Sequence, residues 1–249
     1  MLIKLPLSFL RNLTLLFLLS ADYAYAAHPL VTEDSGVQST GMQQIEFSSD
    51  HNSEPNRHSQ SASATYTYGA NDQLDLFIAL PMRWSATAGM GDASLGTKYL
   101  FSEKDGNSWA LKTELFFPSG STQKQLSKES HDLALTLVHS HKNEAWTMHS
   151  NLSLTQRNFN QEQSSIEQRA TLWRASFATL YAVTPKIQVL LDMGVYQADL
   201  KSETYGDQHL VAGCIFAVTD NLDLDLGIKY LRHKNSIERQ AGIGMAWRF

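Results

Sequence analysis

A single cysteine, Cys214, stands in 249 residues, so no disulfide can form within the chain. No stretch beyond the N-terminus approaches eighteen consecutive apolar residues, which excludes a spanning helix in the body of the chain. Charged residues make up only 18% of the sequence, and acidic residues outnumber basic ones. That balance argues against a nucleic-acid-binding surface. Glycine (14) and proline (6) are too few for a disordered or collagen-like chain. There is no P-loop, dinucleotide fingerprint or nucleophile elbow, and no Cys/His spacing suited to a metal. No cofactor is expected.

The chain begins with a leader. Lys4 and Arg11 supply a positive region, residues 13–19 (LTLLFLL) a short apolar core, and Ala24-Tyr25-Ala26 a small-x-small cleavage site. Residues 1–26 therefore read as a cleaved signal peptide. With Lys4, Arg11 and Asp22 removed, 18 basic face 24 acidic residues. Residues 27–40 (AHPLVTEDSGVQST) carry no periodicity. They read as a periplasmic lead-in that either tucks into a lumen or stays mobile.

From Gly41 to Phe249 the hydrophobic period is two. Leu74, Leu76, Ile78 and Leu80 alternate with Asp75, Phe77 and Ala79. Leu222, Leu224, Leu226, Ile228 and Tyr230 oppose Asp223, Asp225, Gly227 and Lys229. The last segment, QAGIGMAWRF, places Ala241, Ile243, Met245, Trp247 and Phe249 on one face. Twelve such segments of about ten residues are expected, long enough to cross a bilayer at a tilt. Connections at 69–73, 102–107, 142–144, 183–186 and 219–221 are short. Those at 49–59, 82–91, 119–131, 156–168 and 197–208 are longer and polar, and 232–236 is brief. Short turns alternating with long loops, on an even number of strands, match the rhythm of an antiparallel up-and-down barrel of the outer-membrane type.

Alternation does not say which face looks outward. A soluble twelve-strand barrel would enclose more space than side chains readily fill. The aromatics also sort by height. Tyr66, Tyr68, Tyr99, Phe101, Trp109, Trp146, Tyr181, Phe216, Trp247 and Phe249 fall near expected periplasmic ends. Phe47, Phe117, Trp173 and Tyr230 fall near expected outer ends. Two aromatic girdles are the signature of membrane interfaces. The apolar face is thus expected to meet lipid, including lipopolysaccharide, in the outer membrane of a Gram-negative bacterium.

Four segments carry a family resemblance: 89–101 (GMGDASLGTKYLF), 28–36 (HPLVTEDSG), 114–120 (ELFFPSG), and the C-terminal hairpin with NLDLDLGIKY and GIGMAWRF. Together they resemble outer-membrane β-barrels of the phenol-degradation meta-pathway type. The resemblance implies a porin-like transporter of hydrophobic or aromatic compounds and no catalysis. The alternating C-terminus, with outward Met245, Trp247 and Phe249, resembles the assembly signal read by barrel-assembly machinery.

On this reading Asp75, Asp92, Lys98, Lys112, Glu114, Asp132, His149, Arg174, Asp192, Asp223, Asp225, Lys229 and Arg248 face the lumen. They would line a selective pore or form a salt-bridged plug. The pairs His139-Ser140-His141 and His149-Ser150 invite comparison with outer-membrane lipases. Adjacent strand residues point to opposite faces, so neither histidine reaches its neighbouring serine. The expected function is passive uptake of small hydrophobic or aromatic molecules. The alternatives are a plugged barrel acting through its loops and, behind it, a lipid-modifying enzyme.

Overall fold

The computed structural model describes residues 28–54, 57–85, 87–159, 166–204, 206–234 and 236–249, so residues 1–26, expected to be a cleaved signal peptide, lie outside the described residues. Thirteen strands follow one another: β1 (Gln43–Glu54), β2 (Arg57–Asn71), β3 (Leu74–Arg83), β4 (Gly89–Met90), β5 (Ser94–Lys104), β6 (Asn107–Phe116) and β7 (Ser130–Lys142), then β8 (Trp146–Phe159), β9 (Thr171–Thr184), β10 (Ile187–Tyr196), β11 (Gln208–Thr219), β12 (Leu222–Arg232) and β13 (Ile237–Arg248). Each long strand pairs antiparallel with its sequence neighbours, and β4 is a two-residue flap on β3. β1 pairs with β13 over ten residue pairs, from Gln44↔Arg248 to Ser53↔Arg239. That seam closes a twelve-strand barrel and leaves no free sheet edge.

Burial is inverted relative to a soluble barrel. Outward leucines and isoleucines are open, with Ile243 at 65% and Leu152 at 55%. Asp75, Asp192 and Asp225 are buried inside. Apolar surface gains roughly 25 cal/mol per Å² when it leaves water, so this outward face is stable only against lipid. The polar face turns inward, as the alternation requires.

Two expectations are corrected. The connection at 49–59 is not a long loop: β1 runs to Glu54 and β2 starts at Arg57, with register held from Ser49↔Ala62 to Glu54↔Arg57. Polar alternation (Ser49, His51 and Ser53 outward; Asp50 and Asn52 inward) hid the strand from a search for apolar residues. Phe47 in consequence sits mid-strand, opposite Met245, and not at an outer girdle. Phe117, Trp173 and Tyr230 do lie at the loop ends of their strands and are exposed.

One inward patch is apolar. Leu180 of β9, Leu190 of β10, and Val211 and Ile215 of β11 form a buried cluster, with Leu30 and Val31 packed against it. Residues from before the first strand are therefore inside the barrel.

Candidate functional site

Residues 28–40 form a strap that runs around the inner wall. It enters at the turn end, where Thr40 donates its N–H (2.9 Å) and hydroxyl (2.6 Å) to Asp72 in the β2–β3 turn. Those hydrogen bonds hold the Asp72 carboxyl below its usual range. Gly41, at φ +80°, turns the chain from the strap into β1, a conformation suited to glycine.

The strap then meets successive wall strands. The Gln38 N–H is donated to both oxygens of Asp75 on β3 (3.0 and 3.2 Å). Ser35 bonds Ser108 of β6 (2.6 Å), and its N–H is donated to Ser140 of β7 (3.0 Å). Glu33 accepts from Lys112 of β6 (2.6 Å) and Lys98 of β5 (3.2 Å). Burial alone would raise the Glu33 carboxyl; the two ammoniums outweigh it and hold it well below the carboxylate range. The N–H groups of Val31 and Thr32 and the Thr32 hydroxyl converge on Asp192 of β10, at 2.6, 2.8 and 2.7 Å.

At its far end the strap is seated on glycine. Gly213, Gly227 and Gly242 are paired in a row across β11, β12 and β13. A Cβ at either Gly213 or Gly227 would strike the Pro29 ring. His28 fits between Asp225 of β12 and Asp50 of β1, with Nε2 3.2 Å from the Asp50 carboxylate. Burial opposes charge on His28; the hydrogen bonds and charges of Asp225 and Asp50 prevail and raise its pKa to about 9.

Open space remains on both sides of the strap. Near the turns a cavity of about 250 Å³ lies beside Asp223 and Arg248, which are paired at 2.8 Å. Toward the loops lie cavities of about 640 and 280 Å³, both touching Phe116, Lys128 and Asp132. The connection between β6 and β7 folds over this end. Asp92 accepts from the N–H groups of Gly120 (3.0 Å) and Lys128 (2.7 Å), and Lys124 donates to the Ala88 carbonyl (2.8 Å).

Twelve of the thirteen expected lumen residues occupy inward strand positions. Asp92 does not: it precedes β5 and anchors the folded loop. Asp75, Lys98, Lys112, Asp192 and Asp225 grip the strap directly. Arg248 pairs with Asp223, and Asp132 lies 3.7 Å from Arg157. Glu114 sits 3.7 Å from Lys112 and accepts from Ser94. Arg174 faces Tyr196, and Lys229 lies on the wall of the larger loop-end cavity. His149 cannot reach Ser150, as strand geometry requires, but it does meet Ser140 across the β7–β8 ladder (2.8 Å). That serine oxygen also accepts the Ser35 N–H, so the pair serves to hold the strap. His139 and His141 both contact Asn107 at the turn end.

Sequence reasoning missed Asp50, Arg157 and His209 on the wall. Asp50 and Arg157 lay in segments read as loops. It also passed over inward Leu180, Leu190, Val211 and Ile215. A signal existed: around Val189-Leu190-Leu191 and Leu210-Val211 both faces are apolar, which asks for a partner inside as well as outside. Among the described residues no group of three or more His, Cys, Asp or Glu side chains is placed to hold a metal.

A closed antiparallel barrel with an apolar exterior and a polar lumen crossed by its own N-terminal segment is a β-barrel of the outer-membrane class. The chain belongs to the family described as "Putative MetA-pathway of phenol degradation", whose profile matches residues 72–249, from the β2–β3 turn to the C-terminus. No curated protein matches it. Among solved structures it is similar to an outer membrane channel from Pseudomonas putida F1, at 14% identity over 87% of this chain and 98% of that one, TM-score 0.70. It is also similar to the NanC porin (11% identity, 82% and 98% covered, TM-score 0.66). The KdgM porin in complex with oligogalacturonate follows (8%, 80% and 97%, 0.56). At these identities the likeness establishes the fold.

Proposed function

We propose that the chain is a passive channel of the Gram-negative outer membrane, exported by its leader, with residues 28–40 as its gate. Small hydrophobic or aromatic molecules are the substrate class this reading carries, in keeping with the phenol-degradation description of the family, and the likeness to an outer membrane channel supports passage through the lumen. The observation that carries it is the way the strap is held. Most of its anchors are individual hydrogen bonds and ion pairs to charged wall side chains, each worth about 1.5–3 kcal/mol net, and cavities lie on both sides of it. A segment bound this way is displaceable without unpairing a strand.

The test is conductance and solute influx. Purified full-length protein and a form lacking residues 28–39 are compared in planar bilayers and swelling liposomes. The deletion is expected to raise conductance several-fold and to admit small aromatic solutes. Equal, negligible conductance from both would overturn the gate.

The apolar seat of Leu30 and Val31 favours a second reading, in which the strap is a permanent plug and the barrel acts through its loops. That reading predicts a full-length protein sealed under every condition tested. No catalytic role is proposed.

A further inference from the structure

The outward face of the strands is almost free of charge. By strand register, no Asp or Glu among the described residues occupies an outward position. Away from the turn end, Arg232 and Arg239 are the only outward lysines or arginines among the described strand residues. They lie side by side. Tyr230 of β12, Arg239 of β13, Ser53 of β1 and His58 of β2 form one continuous row of directly opposed residues. Arg232 is one step further toward the loops, opposite Ile237, and so diagonal to Arg239 at roughly 7–8 Å. His51 is one step below and stacks on His58, with ring centroids 5.8 Å apart. Both arginines are exposed, and neither forms an ion pair with an acid among the described residues.

Above this row lies a cleft of about 700 Å³, lined by Ser53, His58, Arg232, Lys234 and Arg239, with Glu54 as its one acidic side chain. Below it the wall is shallow and turns from polar to apolar: His51 and Ser49 of β1 and Gln60 of β2 give way to Phe47 and Ala64. Ala241, Ala62 and Ala64 lie between the larger Leu226, Ile243 and Phe47. Cations concentrated at one height, with small apolar residues beneath, match an amphiphile whose anionic head sits at the interface and whose chains descend along the strands.

We propose that the loop end of β12, β13, β1 and β2 is a binding site for the phosphorylated glycolipid head of the outer leaflet. Arg232 and Arg239 hold its phosphate oxygens, and an acyl chain descends over the low outward surface of Ala241, Ser49, Ala62 and Ala64. Arginine suits the role because its planar fork meets phosphate through paired hydrogen bonds and is always charged. The site rests on the outer-membrane reading for its orientation. It requires nothing of the strap or of transport.

The test uses the full mature barrel, refolded in detergent free of lipopolysaccharide. It is titrated with bis-phosphorylated lipid A, with lipid A stripped of both phosphates, and with inorganic phosphate. Wild type is expected to bind the phosphorylated lipid at least tenfold more tightly than the stripped lipid. R232A/R239A is expected to lose that preference while keeping heat-modifiable migration, and R232K/R239K to retain part of it. Equal binding of the two lipids, or an unchanged preference in R232A/R239A, overturns the site. So does inorganic phosphate binding as tightly as the lipid, which would mark a soluble-anion site. Because the protein is purified, the result is independent of cellular location. Fractionation reads location separately, so failure of the outer-membrane reading is distinguishable from failure of this site.

Discussion

Pro29 lies directly over Gly227, close enough that a Cβ on residue 227 would meet the Pro29 Cγ at 2.7 Å. The wall at this point cannot yield easily, because Gly227 is laddered to Gly213 on one side and Gly242 on the other. Gly227→Val therefore displaces the strap and spares the strand, whose intrinsic preference valine improves. Basal conductance is expected to rise, with the heat-modifiable shift on detergent gels unchanged. A sealed G227V barrel would show that the strap end is not what closes the pore.

Asp192 collects four donors or ring contacts: the N–H groups of Val31 and Thr32, the Thr32 hydroxyl, and His209 at 2.9 Å. Asn has a single acceptor oxygen and loses the charge. Each donor left unmet in a buried setting costs about 1–3 kcal/mol. Asp192→Asn is expected to increase open probability by about tenfold or more in single-channel recordings. Open times indistinguishable from wild type would remove Asp192 from the latch.

Conductance is also expected to depend on alkaline pH. His28 has a pKa of about 9 in the seated strap, against about 6.5 for a solvated histidine. The groups facing it are Asp50 of β1 and Asp225 of β12, while β13 contributes only Gly242 and Gly244. The seated state binds the proton more tightly, so this contribution to seating is fully present below about pH 6.5 and is lost as pH rises through about 9. Recordings at pH 6 and 9.5 are expected to show opening on the alkaline side. In His28→Gln the difference should flatten.

The loop between β6 and β7 is latched separately from the strap. Asp92→Ala removes the acceptor for the Gly120 and Lys128 N–H groups. Trypsin added to intact vesicles is expected to cut at Lys124 or Lys128 faster in this variant, with strap-dependent gating unaltered. Equal cleavage rates would mean that Lys124 and its bond to Ala88 suffice.

Phe249 closes the seam. Its N–H and carbonyl both pair with Gln43 at 2.9 Å, and its ring lies 4.7 Å from that of Trp247. We expect deletion of Phe249 to reduce the amount of barrel assembled in the membrane, through this lost pairing and, as we propose, because outward Met245, Trp247 and Phe249 serve as a signal for barrel-assembly machinery. Normal membrane levels of the truncated chain would exclude that role.

The barrel was legible because its wall obeys one rule: a residue's neighbour two positions away shares its environment. That is why Asp75, Asp223, Asp225 and Lys229 could be placed inward from the sequence. The strap obeys no such rule. Its residues 28–40 contact wall strands around most of the barrel, from β3, β5, β6 and β7 to β10, β11, β12, β13 and β1, and no local period encodes that path. Strand ends were obscured where lipid contact stops. Beyond Ser49 the outward face turns polar, so β1 continued unseen and carried Asp50, the partner of His28, with it. Arg157 was hidden for the same reason at the end of β8.

The strap joins the first strand directly through the turn at Gly41, which accepts no slack: the Gly41 N–H pairs with Gly69 and the Met42 N–H with Ser39, at 2.8 and 2.9 Å. Release is therefore an intramolecular event. A freed strap remains at an effective concentration on the order of millimolar beside its own seat, whatever the number of barrels in the membrane. Opening times will follow the chemistry of the wall and the solution, and dilution will not lengthen them. A peptide of the same thirteen residues added from outside would have to reach comparable concentrations to reseal a barrel from which the strap had been removed.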